Sequence, residues 1–171
     1  MKLLVFLMAG AATVAPVFGQ TVADPTVRDG VFSWFELTET MSDVARKLGP
    51  PRVKADFGKG LESWQYQIGP GDGHEPTHYL VFEKATRKLI SVTRNFDPEP
   101  PVDEMFPPSQ TTSRFLPSNP GFGVRMRRLP GGRVLLAMGS PKPGQPTGQL
   151  VLMRMSDAEA QYPWLNPGSR P

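Results

Sequence analysis

Thr40-Met41-Ser42-Asp43-Val44-Ala45-Arg46-Lys47-Leu48-Gly49-Pro50-Pro51 is the stretch from which the fold is read. Met41, Val44, Ala45 and Leu48 fall at i, i+3, i+4 and i+7, one face of a helix. Thr40 is a good N-cap, and Asp43 follows at the capping-box spacing. Arg46 and Lys47 occupy the last turn, where cations meet the negative end of the helix dipole. Gly49 supplies the C′ position, and Pro50 and Pro51 forbid continuation. A helix of about two turns is not stable alone, so it must dock on a sheet.

The residues that follow supply that sheet. In Leu61–Ile68 the side chains of Trp64, Tyr66 and Ile68 alternate with Ser63, Gln65 and Gln67, giving one apolar face. His78–Glu83 and Leu89–Phe96 are the next two strands, separated by a turn over 84–88. This predicts a three-stranded antiparallel meander with the short helix on one face. Residues 98–120 are rich in proline and read as a linker or a wrapped arm. Met105, Phe106, Phe115 and Leu116 lie within it, and a disordered linker carries fewer such residues. β character resumes at Val124–Leu129 and Arg133–Gly139, flanking Pro130-Gly131-Gly132, and again at Gln149–Met155. Ser156 and Glu159 suggest a second capped helix that ends before Pro163. Met-Ser-Asp opens both helical stretches, at 41–43 and 155–157, a faint sign of internal repetition.

The first residues set the compartment. Lys2 precedes an apolar run from Leu3 to Val17, and Val17 and Gly19 suit the −3 and −1 positions of a cleavage site. Residues 1–19 therefore read as a secretory signal peptide, and the run is too short and broken to be a committed membrane span. The chain has no cysteine, which excludes disulfides, thiol catalysis, thiolate-bound zinc and lipidation of a lipobox. The net charge of +3 is too small for a nucleic-acid footprint.

Residues 37–96 resemble the BamE-like family (small protein A, OmlA). Met41-Ser42, Val44, Leu48-Gly49 and Pro51 follow its helix-to-Gly-Pro signature. Trp64 and Tyr66 fill its Trp-x-Tyr strand, and Tyr79-Leu80-Val81-Phe82 and Leu89-Ile90-Ser91-Val92 its next two strands. The resemblance implies a helix packed on a three-stranded antiparallel sheet, with tandem relatives among secreted β-lactamase inhibitory proteins. It carries over no catalytic residue, because the family has none. Thr40 stands where that family usually has glycine.

Chemistry-bearing residues are few. His74-Glu75-Pro76-Thr77-His78 spells H-E-x-x-H, but that zinc motif needs a helix to align its two imidazoles. Here glycines and prolines precede it, Pro76 lies inside it and a strand follows. His74 and His78 remain weak metal candidates. Arg125, Arg127, Arg128, Arg133 and Arg154 gather in the C-terminal strands. They either grip an acidic partner or charge an outward strand face against edge pairing. Trp34 and Phe35 are either core or interface anchors.

The expected molecule is thus an exported α+β protein, periplasmic or secreted. Its units are a signal peptide over 1–19, a BamE-like unit over 30–97, a Pro-rich segment over 98–120 and a β-rich unit over 121–165. It acts without cofactor or catalysis as a binding or scaffold module of the envelope, through Trp34, Phe35, Arg125, Arg127 and Arg133. The expected partner is an envelope protein, with no nucleic acid and no integral membrane span once the signal is cut. The alternative is a secreted inhibitor or ligand-binding protein. A metal-dependent hydrolase using the His74–His78 segment stands last.

Overall fold

The computed structural model describes residues 32, 34–68, 76–95, 103–142, 144–145 and 147–166. The signal-peptide reading and His74 lie outside these. Eight strands form one antiparallel sheet in the order β1-β2-β3-β4-β8-β7-β6-β5. They are β1 (Val53–Gly58), β2 (Leu61–Gln67), β3 (Thr77–Glu83), β4 (Leu89–Asn95), β5 (Thr111–Leu116), β6 (Asn119–Leu129), β7 (Arg133–Gly139) and β8 (Thr147–Arg154). Helix α1 (Met41–Leu48) precedes the sheet and α2 (Met155–Gln161) follows it.

Helix α1 forms as its residues require. Thr40 N–H donates to Asp43 Oδ2 at 2.9 Å, and Asp43 N–H returns to Thr40 Oγ1 at 3.3 Å. The bond from the Thr40 backbone, and after it the bond that the Thr40 hydroxyl donates to Asp43 Oδ2 at 2.7 Å, hold the Asp43 carboxyl below its usual pKa. Gly49 takes φ 77° and donates to the Ala45 carbonyl at 2.9 Å, closing the helix. The start of α1 is tied to the β3–β4 turn, with Met41 N–H on the Arg87 carbonyl and Leu89 N–H on the Glu39 carbonyl. Met41 and Val44 are buried against the sheet. Helix α2 begins at Met155 and has no side-chain cap. Ser156 therefore lies inside it and is not the N-cap that its spacing to Glu159 suggested.

Two apolar clusters lie on opposite faces of the sheet. Along β7 and β8 successive residues alternate between them: Leu135, Ala137, Leu150 and Leu152 in one, Val134, Leu136, Val151 and Met153 in the other. The first cluster is the α1 face, which also takes Phe32, Phe35, Leu37, Trp64, Leu80, Val92, Met105 and Phe106. The second is the α2 face, closed over β6–β8 by Ala158 and Leu165.

This architecture corrects the expected fold. The structure is mostly β, an eight-stranded sheet with two short helices among the described residues, and not a short helix on a three-stranded sheet followed by a separate β-rich unit. The BamE-like resemblance over 37–96 falls with it, because β4 pairs with β8 from Ser91↔Met153 to Asn95↔Gln149 and merges both halves. Two strands escaped the reading for one physical reason. β1 is exposed at every position, and β5 lies in the Pro-rich segment with no residue fully buried. Edge strands of this kind bury no alternating face, so they leave no period in the sequence.

The strand order reads the same from either edge, β1 to β4 from one side and β5 to β8 from the other. A two-fold normal to the sheet, between β4 and β8, relates such halves. It relates their covers as well: α1 precedes β1 on the α1 face, and the 3-10 turn Asp103–Met105 precedes β5 and sends Met105 and Phe106 to the same face. Among the described residues helix α2 has no counterpart in the first half.

Candidate functional site

Among the described residues that asymmetry leaves the α2 face of the first half open. Trp64, Leu80, Val92 and Leu152 form one cross-strand row on the α1 face. Their neighbours Ser63, Val81, Ser91 and Met153 form the row behind it, on the α2 face. Tyr79 and Thr93 continue the next row to Val151. Between α2 and the β1 edge these residues floor a groove of about 1210 Å³. Phe57 and Lys59 stand on the β1 side, and Asp157, Gln161 and Tyr162 on the α2 side.

The groove floor sets the uncharged hydroxyls of Ser63, Ser91 and Thr93 among Val81, Val151 and Met153. Ser63, Val81 and Ser91 are recessed, each at 7% exposure or less. Asn95 and Gln149 line one end, where Gln149 Nε2 donates to Asn95 Oδ1 at 2.8 Å. The charged lining residues Lys59, Glu83 and Lys88 are exposed, and Asp157 is half-buried. Burial pushes the Tyr162 phenol above its usual pKa, so this hydroxyl stays a neutral donor and acceptor. Phe57 is 62% exposed, a large apolar side chain held at the margin. The arrangement offers hydroxyl, amide and phenol groups on a flat, partly apolar floor.

Of the arginines expected at a partner surface, Arg125, Arg127, Arg133 and Arg154 lie on the α1 face instead, holding the chain's own loops, and Arg128 is exposed. Arg125 is 2% exposed. It donates to Asp103 and, at 3.1 Å, to Thr147 Oγ1, and its guanidinium lies 5.5 Å from the Phe106 ring centroid. Arg127 donates to the Met105 carbonyl at 2.9 Å. Arg133 donates to the Phe35 carbonyl at 2.7 Å and pairs with Glu36, while Arg154 donates to the Leu37 carbonyl at 2.7 Å. These four fasten two straps, residues 35–37 and 103–105, onto the sheet. Leu37 takes φ 60°, a left-handed conformation that costs a leucine energy and that these bonds help to hold. Phe35 is wholly buried beneath its strap, whereas Trp34 is 45% exposed.

His78 is buried on β3. Its ring packs edge-on to Phe32, and Nδ1 donates to the Pro76 carbonyl at 3.0 Å. Burial, aided by the Arg94 charge across the strand pair, pulls its pKa down to about 4. It sits on the α1 face, opposite Tyr66, and does not line the groove. Among the described residues no cluster of three metal-ligating side chains occurs. Tyr66 donates to the Gly49 carbonyl at 3.1 Å, and burial pushes its phenol up to about 12. The sequence reading missed the groove residues, although the alternation in 61–68 already separates Ser63 and Gln65 from Trp64 and Tyr66. What it lacked was the knowledge that α2 covers only half of that face.

No family model matches the chain, and no curated protein matches it. Among the solved structures that align with it are two bacterial proteins. One is a cysteine-rich secretory protein from Staphylococcus aureus subsp. aureus Mu50, 8% identical, with a TM-score of 0.43 over 71% of this chain and 46% of that one. The other is an extracellular protein containing an SCP domain from Bacillus anthracis str. Ames, 11% identical, with a TM-score of 0.41 over 75% of this chain and 47% of that one. The chain spans less than half the length of either structure. No helix among the described residues is long and apolar enough to cross a membrane.

Proposed function

We propose that this chain is an exported binding module of the cell envelope, periplasmic or secreted, that works by association and not by catalysis. Its working surface is the groove on the α2 face, and its occupant is an extended segment of an envelope protein. Export rests on the signal-like residues 1–19. The observation that carries the binding reading is the recessed floor of Ser63, Tyr79, Val81, Ser91 and Thr93, left open by α2.

The chemistry favours a protein segment of mixed, nearly neutral character. Charges of both signs stand along the lining, so neither a strongly acidic nor a strongly basic ligand is selected. The floor spans β2, β3, β4 and β8, roughly 15 Å across at the usual strand spacing, wide enough for a strand or one helix face. Tyr79 and Tyr162 are the amphipathic aromatics that dominate protein interfaces.

The test begins with tagged mature protein and an envelope extract of its own host. A captured partner is purified, and its affinity is measured against the wild type, Tyr79→Ser, Phe57→Ser and Trp34→Ala. The groove reading expects losses of about tenfold or more for the first two substitutions and none for Trp34→Ala, with circular dichroism unchanged. A partner indifferent to Tyr79 and Phe57 removes the groove from the function. Displacement of that partner by a neutral oligosaccharide would instead make the occupant a glycan.

A further inference from the structure

The two sheet edges differ. β5 is partly buried and tied to the chain's own loops, Thr111 Oγ1 donating to the Pro107 carbonyl at 2.9 Å and Ser113 Oγ to the Pro141 carbonyl at 3.2 Å. β1 is exposed along all six residues. Its sequence is Val53-Lys54-Ala55-Asp56-Phe57-Gly58, and Val53 and Phe57 are 46% and 62% exposed. An open edge that carries large apolar side chains is a template for another strand.

We propose that β1 is a self-association edge, at which a second copy of this chain pairs antiparallel to continue the sheet. Charge complementarity selects that partner and its register. A two-fold normal to the sheet keeps each face on its own side, so residues of equal parity must oppose one another. A pairing centred on Lys54 sets Lys54 against Lys54 of the second copy, and one centred on Asp56 sets two aspartates together. The pairing centred on Ala55 places Lys54 opposite Asp56 of the second copy, twice by symmetry, with Val53 opposite Phe57 on the other face. Lys54 and Asp56 share the α1 face, since Lys54 pairs with Trp64 and Asp56 with Glu62. Two present contacts are compatible with this register: Lys54 Nζ 4.4 Å from the Trp64 ring centroid, and Lys84 Nζ on Asp56 Oδ2 at 2.6 Å. A single six-residue strand pair buries little area, so the dimer is weak and concentration-dependent. Phe57–Lys59 also form one wall of the groove, so pairing sets two grooves along one continuous sheet.

The experiment is sedimentation equilibrium of the full mature chain over a wide concentration range. Wild type is expected to dimerise reversibly. K54D and D56K each replace two attractive pairs with two repulsive ones and weaken dimerisation about tenfold. An equimolar mixture of the two variants restores wild-type affinity as a heterodimer. Thermal unfolding of each variant alone controls for the contact with Lys84 that D56K loses. The absence of cysteine allows an independent test. A55C puts its thiol on the two-fold axis, where opposed Cα atoms lie about 4.5–5.5 Å apart, within disulfide reach. Mild oxidation should give a covalent dimer for A55C and not for V53C. A wild type that stays monomeric to its solubility limit, a mixture no tighter than its parts, or equal crosslinking of A55C and V53C overturns the proposal.

Discussion

Acidification should weaken this fold through one residue, His78. Its ring is fully buried against Phe32, and its pKa falls to about 4 from an ordinary value of 6.5. The folded state thus keeps His78 neutral at pH values where the unfolded chain protonates it. The unfolded state binds the extra proton, so stability rises with pH across this window. The contribution is fully present above about pH 6.5, declines as pH falls, and is lost by about pH 4. A depression of that size corresponds to about 3 kcal/mol, a large share of the 5–15 kcal/mol, roughly, by which domains are stable. The assay is urea unfolding at a series of pH values for wild type and His78→Phe. The variant leaves the Pro76 carbonyl with only the Ile68 N–H as donor, at 3.3 Å, a penalty of at most about 1 kcal/mol that does not change with pH. Carboxylates titrate alike in both proteins and cancel in the difference. The wild type should therefore lose about 3 kcal/mol more than the variant between roughly pH 7.5 and pH 4. Parallel loss by both proteins would refute the reasoning, as would a His78 ring resonance that titrates near 6.5.

Two further substitutions probe the packing. At Gly123 an added Cβ would lie 2.1 Å from the Arg114 carbonyl oxygen and 3.0 Å from Phe115 Cα, backbone atoms of β5 that cannot step aside alone. Gly123→Ala should cost about 2–3 kcal/mol in thermal unfolding, whereas Gly121→Ala, whose nearest contact is Asn119 Oδ1 at 3.4 Å, should be nearly neutral. The buried Arg125–Asp103 pair should respond asymmetrically, because the Arg125 side chain is 3% exposed and that of Asp103 41%. Asp103→Ala strands a buried guanidinium and should cost about 3 kcal/mol in chemical denaturation. Arg125→Met leaves its partner facing water and should cost less; the reverse order would show the pair to be solvated.

How much of this was legible in the sequence depended on where each residue's partners lie. Helix α1 was read correctly from Thr40 to Gly49, because its capping box and terminal glycine are contacts between near neighbours. β2, β3, β4 and β7 were read close to their bounds, since each buries residues in a recognisable pattern. β1 and β5 were not, because an edge strand lacks burial on either side. The pairing of β4 with β8 joins residues far apart in the chain, and no local rule could announce it. The arginines carried no hint of their targets either. Arg133 and Arg154 hold carbonyls 98 and 117 residues away, so sequence reasoning could place them in strands but not say what they grip.

The same long-range bonds explain how the groove comes to be open. Each half of the sheet needs its α1 face covered, and neither α1 nor the 103–106 segment is long enough to form a second layer unaided. Guanidiniums supply the attachment. Arg133 and Arg154 in β7 and β8 hold residues 35–37, so the strap that leads into the first half's helix is fastened to the second half. Arg125 and Arg127 in β6 hold the turn that leads into β5. With the α1 face closed by straps, α2 is spent on the opposite face of β7 and β8, where Ala158 and Leu165 cover Val134, Leu136, Val151 and Met153. Nothing equivalent follows β4 among the described residues, and there the first half sets Ser63, Ser91, Thr93 and Asn95 beside Val81 and Tyr79, where the second half has valine, leucine and methionine. Hydroxyl and amide side chains thus enter this sheet face only beyond the boundary of α2. Among the described residues, therefore, floor and cover are matched in both halves.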